Sequence, residues 1–473
     1  MGTGDAGSRR IGSANEVVSL LARSDPGVSR ARRRARGKAA RSRARRSEMG
    51  RWEPGPHRPD PIALLEAQNA ARFPDLVPVR WGRMVASPFA FFRGSAAVMA
   101  ADLATSPASG LVTQVCGDAH LQNFGLFASP ERRLLFDLND FDETLPGPWE
   151  WDVKRLATSV VLAMRANGVD AARQLGAAES CARAYRESMA EYAQMSSTEV
   201  WYSKVDVDDA LTEMVGGSRF RLARVADRAR QRTTMQALSR MTAVVDGQRR
   251  IIDDPPIVEH LPDSMDTYDV RAMVDEYRTT LAEERRYLFD RFAIIDIARK
   301  VVGVGSVGTH CWIALSVADS EQDDPLFLQI KEATRSVMEP FVGRSAHRNH
   351  GERVVVGQRM MQAASDLFLG WMSSNEGRDY YVRQLRDMKG SVRTEVMSAS
   401  DLSAYGRRCA SVLARAHARS GDPVAIAGYL GRSSTFDGAA ATFARAYADQ
   451  AERDHAELRR AITSGRVVAV EGV

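Results

Sequence analysis

A group of carboxylate and amide side chains follows two short apolar segments in the first part of the chain. Asp118 and Asn123 come after the segment 111–116, and four more oxygen-bearing side chains come after the segment 134–138. These four are Asn139, Asp140, Asp142 and Glu143. Adjacent carboxylates repel each other unless a proton or a cation neutralises them, and carboxylate and amide oxygens are the ligands that Mg²⁺ prefers. The pattern therefore predicts a magnesium site with ligands from both segments.

The two apolar segments are expected to position these groups as the strands of one small hairpin. Asp137, inside the second segment, competes with Asp140 as the metal-binding aspartate, and the sequence leaves this choice open. A buried helix over 89–103, starting at Ser87, is expected just ahead of the Asp118 loop. Three arginines near this helix are candidates for contact with a phosphate or carboxylate, although arginines on helix rims are more often surface residues. They are Arg80, Arg83 and Arg93.

The spacing around Asp118 resembles the G-D-x-H-x-x-N catalytic loop of aminoglycoside and choline kinase-like phosphotransferases. The matching residues are Gly117, Asp118, His120 and Asn123. The stretch 139–142, with the later pairs 147–148 and 151–152, resembles the second metal-binding segment of the same group. From about Arg51 the chain also resembles an uncharacterised bacterial family, the domain of unknown function 2252, and this resemblance implies no activity.

A change of composition at Arg299 predicts a second, β-rich region. Its strands are expected at about 299–304, 309–317 and 326–331. The glycines between the first two strands form a complete G-x-G-x-x-G pattern and are Gly303, Gly305 and Gly308. A dinucleotide-binding fold would place a helix directly after these glycines, but the residues that follow alternate as in a strand. A glycine loop between two strands is the kinase arrangement, in which backbone amides cover nucleotide phosphates. An ordinary glycine-rich hairpin is the alternative.

Lys331 ends the third of these strands after a run of apolar residues. This resembles the kinase strand whose lysine neutralises α- and β-phosphate oxygens and pairs with a helix glutamate. Glu339 and Glu352 are both candidates for that partner, and the sequence does not decide between them. A solvated lysine at a strand end is the simpler alternative.

The order of these motifs is permuted relative to an ordinary kinase, in which the glycine loop and lysine come first. Circular permutation is tolerated when the joined ends lie at the surface. The resemblance therefore implies an α+β, two-lobed, protein-kinase-like fold that is circularly permuted, with a helical large lobe first and a β-rich small lobe after it. The expected organisation is a disordered basic tail (1–50), a helical lobe with the catalytic loop and metal-binding hairpin (51–298), a β-rich nucleotide-binding lobe (299–390) and C-terminal helices that pack back on the helical lobe (391–473).

The resemblance also implies roles for the candidate residues. Asp118 would orient or accept the proton of an attacking hydroxyl, with His120 supporting the loop. Asn123 and Asp140, or Asp137 in its place, would hold Mg²⁺. Lys331 and the glycine-loop amides would hold the phosphates of ATP.

The function implied is ATP- and magnesium-dependent phosphoryl transfer to an unknown hydroxyl acceptor, which is either a small molecule or a protein. Two alternatives remain open. One is a metal-dependent hydrolase that uses the four carboxylates of residues 137–143 without a nucleotide. The other is a catalytically inactive, nucleotide-binding pseudokinase or scaffold. The sequence leaves the acceptor and the oligomeric state undetermined.

The composition limits the number of domains and the cellular location that can be expected for this protein. The 473 residues are 44% hydrophobic, which is enough for two or three domains with buried cores. The four cysteines form no C-x-x-C pair, which indicates reduced thiols and a cytoplasmic location. No apolar run approaches the roughly 18 residues of a membrane span, and no apolar core follows the first charges as in a signal peptide.

The basic character of the chain belongs to its first part. The whole chain has a net charge of +5, but residues 1–50 carry +9 and the remainder carries −4. Ten of the 17 residues in 30–46 are basic, which also fits attraction to nucleic acid or an acidic membrane. No aromatic residue stands among these arginines to stack on bases, so a solvated, disordered tail is favoured. Deletion of 1–47 is accordingly expected to leave the melting temperature nearly unchanged.

Overall fold

The computed structural model describes residues 27–213, 216–232, 234–260, 267–318, 324–385 and 388–473, which fold as mixed α+β. The helices are α1 (Arg30–Ala39), α2 (Pro61–Asn69), α3 (Val77–Val85), α4 (Pro88–Gly94), α5 (Ala96–Leu103), α6 (Trp149–Ala166), α7 (Ala171–Tyr192), α8 (Ser197–Tyr202), α9 (Val207–Glu213), α10 (Gly216–Arg230), α11 (Thr234–Met241), α12 (Thr267–Thr280), α13 (Glu283–Phe289), α14 (Glu339–Val342), α15 (His350–Met361), α16 (Ala399–Ser420), α17 (Pro423–Leu430) and α18 (Thr435–Thr463). The strands are β1 (Val112–Val115), β2 (Phe124–Ala128), β3 (Leu134–Leu138), β4 (Leu145–Pro148), β5 (Thr242–Val245), β6 (Gln248–Ile251), β7 (Val258–Glu259), β8 (Ala293–Lys300), β9 (Cys311–Val317), β10 (Pro325–Ala333), β11 (Gly370–Ser373), β12 (Asp379–Gln384) and β13 (Gly390–Ser391). None of the described helices is long and apolar enough to cross a membrane.

Helix α6 is the centre of a large helical lobe. All but two of its 18 residues are buried, and α7, α16 and α18 pack around it. Trp149, its first residue, stacks on Tyr185 of α7 with 5.4 Å between the ring centroids. Because α6 is enclosed, the polar side chains of Asp152 and Arg155 in its first turns lie inside the protein and require partners there. Both residues contribute to the candidate site.

Six antiparallel strands form the second lobe, in the order β11–β12–β10–β9–β8–β7. Successive side chains of β9 face opposite sides of this sheet, as strand geometry requires. Trp312 and Ala314 pack with α12 and α13 in one core, and Ile313 and Leu315 pack with α11 in another. Helix α15 packs on β11 and β12 and also contacts α16, so it joins the two lobes.

Two features of the predicted architecture are wrong. The segments 111–116 and 134–138 do not form one hairpin, because β1 pairs with β4 whereas β3 pairs with β2. The lobe boundary predicted at 298 is the other, because the residues after Phe289 pair with β9 as strand β8, which runs through this position.

The disordered tail predicted for 1–50 is also wrong for its described part, and residues 1–26 lie outside the described residues. Helix α1 packs against α17 so closely that a Cβ on Gly37 would lie 1.8 Å from the carbonyl oxygen of Ala425. Arg33 donates to Asp422, with its Nη2 2.7 Å from Oδ1. This segment is ordered because its arginines bind carbonyl oxygens at the end of α17. The last carbonyl groups of a helix have no partner within the helix, so they are free to accept these hydrogen bonds.

Removal of residues 1–50 should therefore lower the melting temperature by several degrees, because it strips these partners from α17. Arg41 donates to the carbonyl oxygens of Gly428 and Tyr429 at 2.8 Å each, and Arg46 donates to that of Leu430 at 2.6 Å. A thermal melt of the truncated protein measures the effect. Removal of 1–26 is the matched control, since it keeps every one of these contacts. Equal melting temperatures for the two truncations would contradict this account of α1.

Candidate functional site

A cavity of about 550 Å³ lies where the two lobes meet. It is lined by residues that are far apart in the sequence. Those from the helical lobe include Asp118, His120, Asn123 and Asp140, and those from the sheet lobe include Gly303, Gly305 and Lys331. The structure thus brings together all but two of the predicted site residues, the exceptions being Gly308 and Asp137.

The Asp118 loop is held in place by the buried carboxylate of Asp152. Asp152 accepts hydrogen bonds from the backbone N–H groups of Cys116, at 2.7 Å, and Gly117, at 2.9 Å. The ring of His417 lies 3.1 Å away on the same carboxylate. Gly117 has φ +79°, and a Cβ there would lie 2.6 Å from the carbonyl oxygen of Glu143, so only glycine fits. Asp152 therefore braces the loop from the start of α6, which is why its side chain does not reach the cavity.

The carboxylate of Asp118 is fixed by Arg155 of α6. Arg155 Nε donates to Asp118 Oδ1 at 2.6 Å, and His120 Nε2 lies 3.6 Å from Oδ2. Burial, with Asp140 and Glu143 nearby, raises the pKa of Asp118 to about 7 despite the opposing effect of Arg155. Asp118 is thus a carboxylate that can exchange a proton near neutral pH. Arg155 was not found by sequence reasoning, because its spacing from Asp118 matches no local motif.

Asn123 and Asp140 form the candidate metal centre. Asn123 Nδ2 donates to the carbonyl oxygens of Asp118, at 3.0 Å, and Asp140, at 3.1 Å. This orients Asn123 Oδ1, which is buried and has no hydrogen-bond partner among the described residues. The Asp140 side chain is 44% exposed and lines the same cavity. Desolvation in the cavity and the neighbouring Asp142 raise the pKa of Asp140, against the opposing effects of Lys331 and Arg383. An unpartnered amide oxygen beside such a carboxylate fits a hard cation such as Mg²⁺.

Asp137, the alternative metal-binding aspartate, does not line the cavity. Its carboxylate is fully buried, and Arg415 Nη2 lies 2.6 Å and 2.7 Å from its two oxygens. The backbone N–H of Ala363 donates to the same carboxylate at 2.8 Å. Asp137 points into the core because β3 alternates its side chains, whereas Asp140 lines the cavity.

Lys331 reaches across the lobe interface from β10. Its Nζ bonds to Asp142 and lies 3.8 Å from Asp140 Oδ1. Burial opposes the charged lysine, but Asp140 and Asp142 outweigh it and raise the pKa of Lys331. Asp142 is fixed in turn by the hydroxyl of Tyr381, which donates to Oδ1 at 2.9 Å. The ammonium of Lys331 is therefore held, fully charged, at the edge of the candidate metal centre.

Neither predicted helix glutamate pairs with Lys331. Glu339 contacts Arg335 at 3.4 Å, and Glu352 contacts His347 at 3.2 Å. The partner of Lys331 is instead Asp142, which lies in the stretch that was predicted to bind metal. The acidic residues after β3 were recognised in the sequence. Their pairing with Lys331 could not be predicted, because Asp142 and Lys331 are far apart along the chain.

Arg353 of α15 joins the residues that follow β3 to the end of β10. Sequence reasoning did not identify this residue. It donates to the carbonyl oxygens of Thr144 at 2.7 Å, Asp142 at 2.8 Å and Thr334 at 2.8 Å. Asp142 and Thr144 lie between β3 and β4, and Thr334 directly follows β10. Arg353 thus sets the position of Asp142 relative to Lys331.

The glycine loop, 301–310, lies along the cavity between β8 and β9. Gly303 and Gly308 have φ +65° and +82°, which favour glycine. Arg83 donates to the carbonyl oxygen of Gly303 at 2.6 Å, and Ser306 donates to Asp142 at 3.2 Å. The loop is therefore tied to both lobes, with Gly303 and Gly305 among the residues that line the cavity.

The predicted helix over 89–103 divides at Ser95 into α4 and α5, while Ser87 caps α4 as predicted and accepts from the N–H of Ala90 at 3.0 Å.

Of the three candidate arginines, Arg80 is a structural residue. It is 1% exposed and donates to Gln68 Oε1 at 2.9 Å.

The four carboxylates proposed for a hydrolase do not converge. Asp137 faces Arg415, Asp142 faces Lys331, and Glu143 accepts from the N–H of Val337 at 2.8 Å. Throughout the described ranges, no three or more His, Cys, Asp or Glu side chains form a group that could hold a metal. A cation in this cavity would depend on Asn123, Asp140 and oxygens from a ligand.

No curated protein matches this chain, and no solved structure does. A family model described as "Uncharacterized protein conserved in bacteria (DUF2252)" matches residues 72–461. This range covers most of both lobes and contains Asp118, Asn123, Asp140 and Lys331. The chain therefore belongs to this family of uncharacterized bacterial proteins.

Proposed function

We propose that this protein is an ATP- and magnesium-dependent phosphotransferase that acts on a hydroxyl acceptor, with a permuted protein-kinase-like fold. The observation that carries the proposal is the meeting of Lys331 with Asp140, at 3.8 Å, beside the unpartnered Oδ1 of Asn123. A lysine, a carboxylate and an amide from separate parts of the chain are the groups that kinases use to hold phosphates and Mg²⁺.

The arrangement of the sheet lobe supports the same proposal. A strand (β8), the glycine loop, a second strand (β9), the lysine strand (β10), the short helix α14, the longer helix α15 and two further strands (β11 and β12) follow one another in the chain. All five strands are neighbours in a single antiparallel sheet. This lobe follows the Asp118 loop in the sequence instead of preceding it, which is the permuted order.

The candidate residues of the cavity have distinct roles under this proposal. Bound MgATP supplies the phosphoryl group and its electrophilic phosphorus. Lys331, positioned by Asp142, offers a fixed positive charge to phosphate oxygens. Asn123 and Asp140 offer the oxygens that would hold Mg²⁺. Asp118, with a pKa of about 7 and an orientation fixed by Arg155, would accept the proton of the acceptor hydroxyl.

Lys331→Met should weaken the binding of MgATP by on the order of tenfold or more, because it removes a buried charge that faces the phosphates. Asp140→Asn should instead weaken the magnesium dependence of binding, because it removes one formal charge from the candidate metal centre. Isothermal titration with ATP, with and without MgCl₂, separates the two effects.

Lys204→Met is the matched control for Lys331→Met, since Lys204 is exposed and does not line the cavity. Equal ATP affinity in Lys331→Met and Lys204→Met would show that Lys331 does not contribute to nucleotide binding. A wild-type protein that binds MgATP but shows neither autophosphorylation nor ATP turnover would be the nucleotide-binding scaffold. A metal-dependent hydrolase would be indifferent to both ATP and Lys331→Met.

A further inference from the structure

Several buried nitrogen atoms that line the cavity have no hydrogen-bond partner within the described part of the chain. They include Nε of Arg72, Nε of Arg80 and Nε of Arg93. Buried polar groups are nearly always paired, because an unpaired donor loses its hydration without compensation. A set of unpaired donors in one cavity indicates that a ligand with acceptor atoms completes it.

Arg93, near the end of α4, is the strongest of these donors. Its guanidinium forms no hydrogen bond or ion pair with any described residue, whereas two arginines nearby are paired. Arg80 donates to Gln68 and Arg155 donates to Asp118. Burial lowers the pKa of Arg93, and Asp118 is the group that most opposes this effect. The charge of Arg93 thus faces the cavity near Asp118 and remains uncompensated, since Arg155 already holds that carboxylate.

Arg93 lies between the glycine loop and the residues that hold Asp118. A Cβ on Gly305, in the glycine loop, would lie 3.3 Å from the carbonyl oxygen of Arg93. On the other side, Arg155, which holds Asp118, donates from Nη2 to the carbonyl oxygen of Phe92, the residue before Arg93, at 2.9 Å. Lys331, Asn123 and Asp140 take the phosphates and the cation under the proposed function, which leaves Arg93 for the acceptor.

We propose that the acceptor carries an anionic oxyacid group, a carboxylate or a phosphate, which binds Arg93 while the acceptor hydroxyl approaches Asp118. An arginine suits this role because its planar donors match the two oxygens of an oxyacid. In the reaction, the acceptor oxygen forms a bond to the transferred phosphorus as the bond to the ADP oxygen breaks, and the hydroxyl proton passes to Asp118. The identity of the reaction rests on the proposed function, but the anion site itself does not.

The first test is thermal stability. Arg93→Gln should raise the melting temperature or leave it unchanged, because the variant relieves a mostly buried charge that has no partner. Arg335→Gln is the matched control, since Arg335 also lines the cavity but is 61% exposed and is paired with Glu339. A fall of several degrees in Arg93→Gln alone would show that Arg93 is structural and would overturn the proposal.

The second test is titration with inorganic phosphate, first on the protein alone and then on protein saturated with magnesium and a non-hydrolysable ATP analogue. Wild-type protein should bind phosphate in both states, and Arg93→Gln should weaken that binding by on the order of tenfold or more, the effect expected for a charge-assisted pair. Arg335→Gln should stay within about twofold of wild type, as expected for an exposed, already paired charge.

Each contrary result has a definite meaning. Unchanged phosphate affinity in Arg93→Gln, or no binding by wild-type protein at tens of millimolar, would overturn the anion site. Exclusion of phosphate by the ATP analogue would assign Arg93 to the nucleotide and overturn the acceptor site. Failure of the analogue to bind would count against the proposed function, while dependence of phosphate binding on Arg93 would still support the anion site.

Discussion

Asp118→Asn should abolish measurable phosphoryl transfer while leaving the affinity for MgATP within a few-fold of wild type. The asparagine side chain can still accept the hydrogen bond from Arg155, so the loop keeps its shape, but it cannot accept a proton. Loss of a general base typically lowers the rate by on the order of 10²- to 10⁴-fold. Rates of autophosphorylation and of ATP turnover, measured beside the dissociation constant of MgATP, test this contrast.

Asp140→Asn is the informative comparison for Asp118→Asn, because both variants remove one carboxylate charge from the same cavity. Only Asp140→Asn should alter the magnesium dependence of nucleotide binding. If Asp118→Asn retains turnover, or loses MgATP affinity as strongly as Asp140→Asn does, then Asp118 is not the base.

Arg415→Met should lower the free energy of unfolding by about 3–5 kcal/mol, the usual effect of leaving one partner of a buried ion pair uncompensated. Arg415 and Asp137 are each about 1% exposed, and their closest contact is 2.6 Å. Urea unfolding of the variant measures the loss. The double variant Asp137→Asn/Arg415→Met should recover much of it, because no buried charge is then left unpaired.

This result also separates Asp137 from the candidate metal centre. If Asp137 is structural, the magnesium dependence of nucleotide binding should be unchanged in the double variant, provided that the variant is folded. A change of less than about 1 kcal/mol in Arg415→Met would contradict the burial argument, given the penalty expected for an unpaired charge.

Short-range patterns predicted the elements that present the site. The segment 134–138 is a strand as expected, and Ser87 begins a helix. The residues after the glycines form β9, and Lys331 lies near the end of β10. These predictions succeed because strand alternation and helix capping depend on neighbours along the chain.

The pairings across the fold could not be predicted in this way. Arg155 with Asp118, Asp142 with Lys331 and Arg415 with Asp137 join residues that no local spacing relates. Strand pairing failed for the same reason, because β4 pairs with β1 only after the fold brings them together.

The prediction of disorder for the basic segment failed because it considered only how much apolar surface the segment can bury. It did not consider the hydrogen-bond acceptors that the arginines can pair with. The arginines of 30–46 contribute few apolar contacts, yet several of them satisfy carboxylate and carbonyl oxygens around α17. Such pairing orders a charged segment whose composition alone indicates disorder.

Titration of the wild-type protein with ATP, in the presence and absence of Mg²⁺ or Mn²⁺, tests the central claim that the cavity between the lobes is a nucleotide site. We expect saturable binding at or below millimolar ATP that strengthens when the divalent cation is present, since Asn123 and Asp140 would hold the cation that accompanies the phosphates. Absence of binding at millimolar ATP with either cation present would contradict the phosphotransferase account.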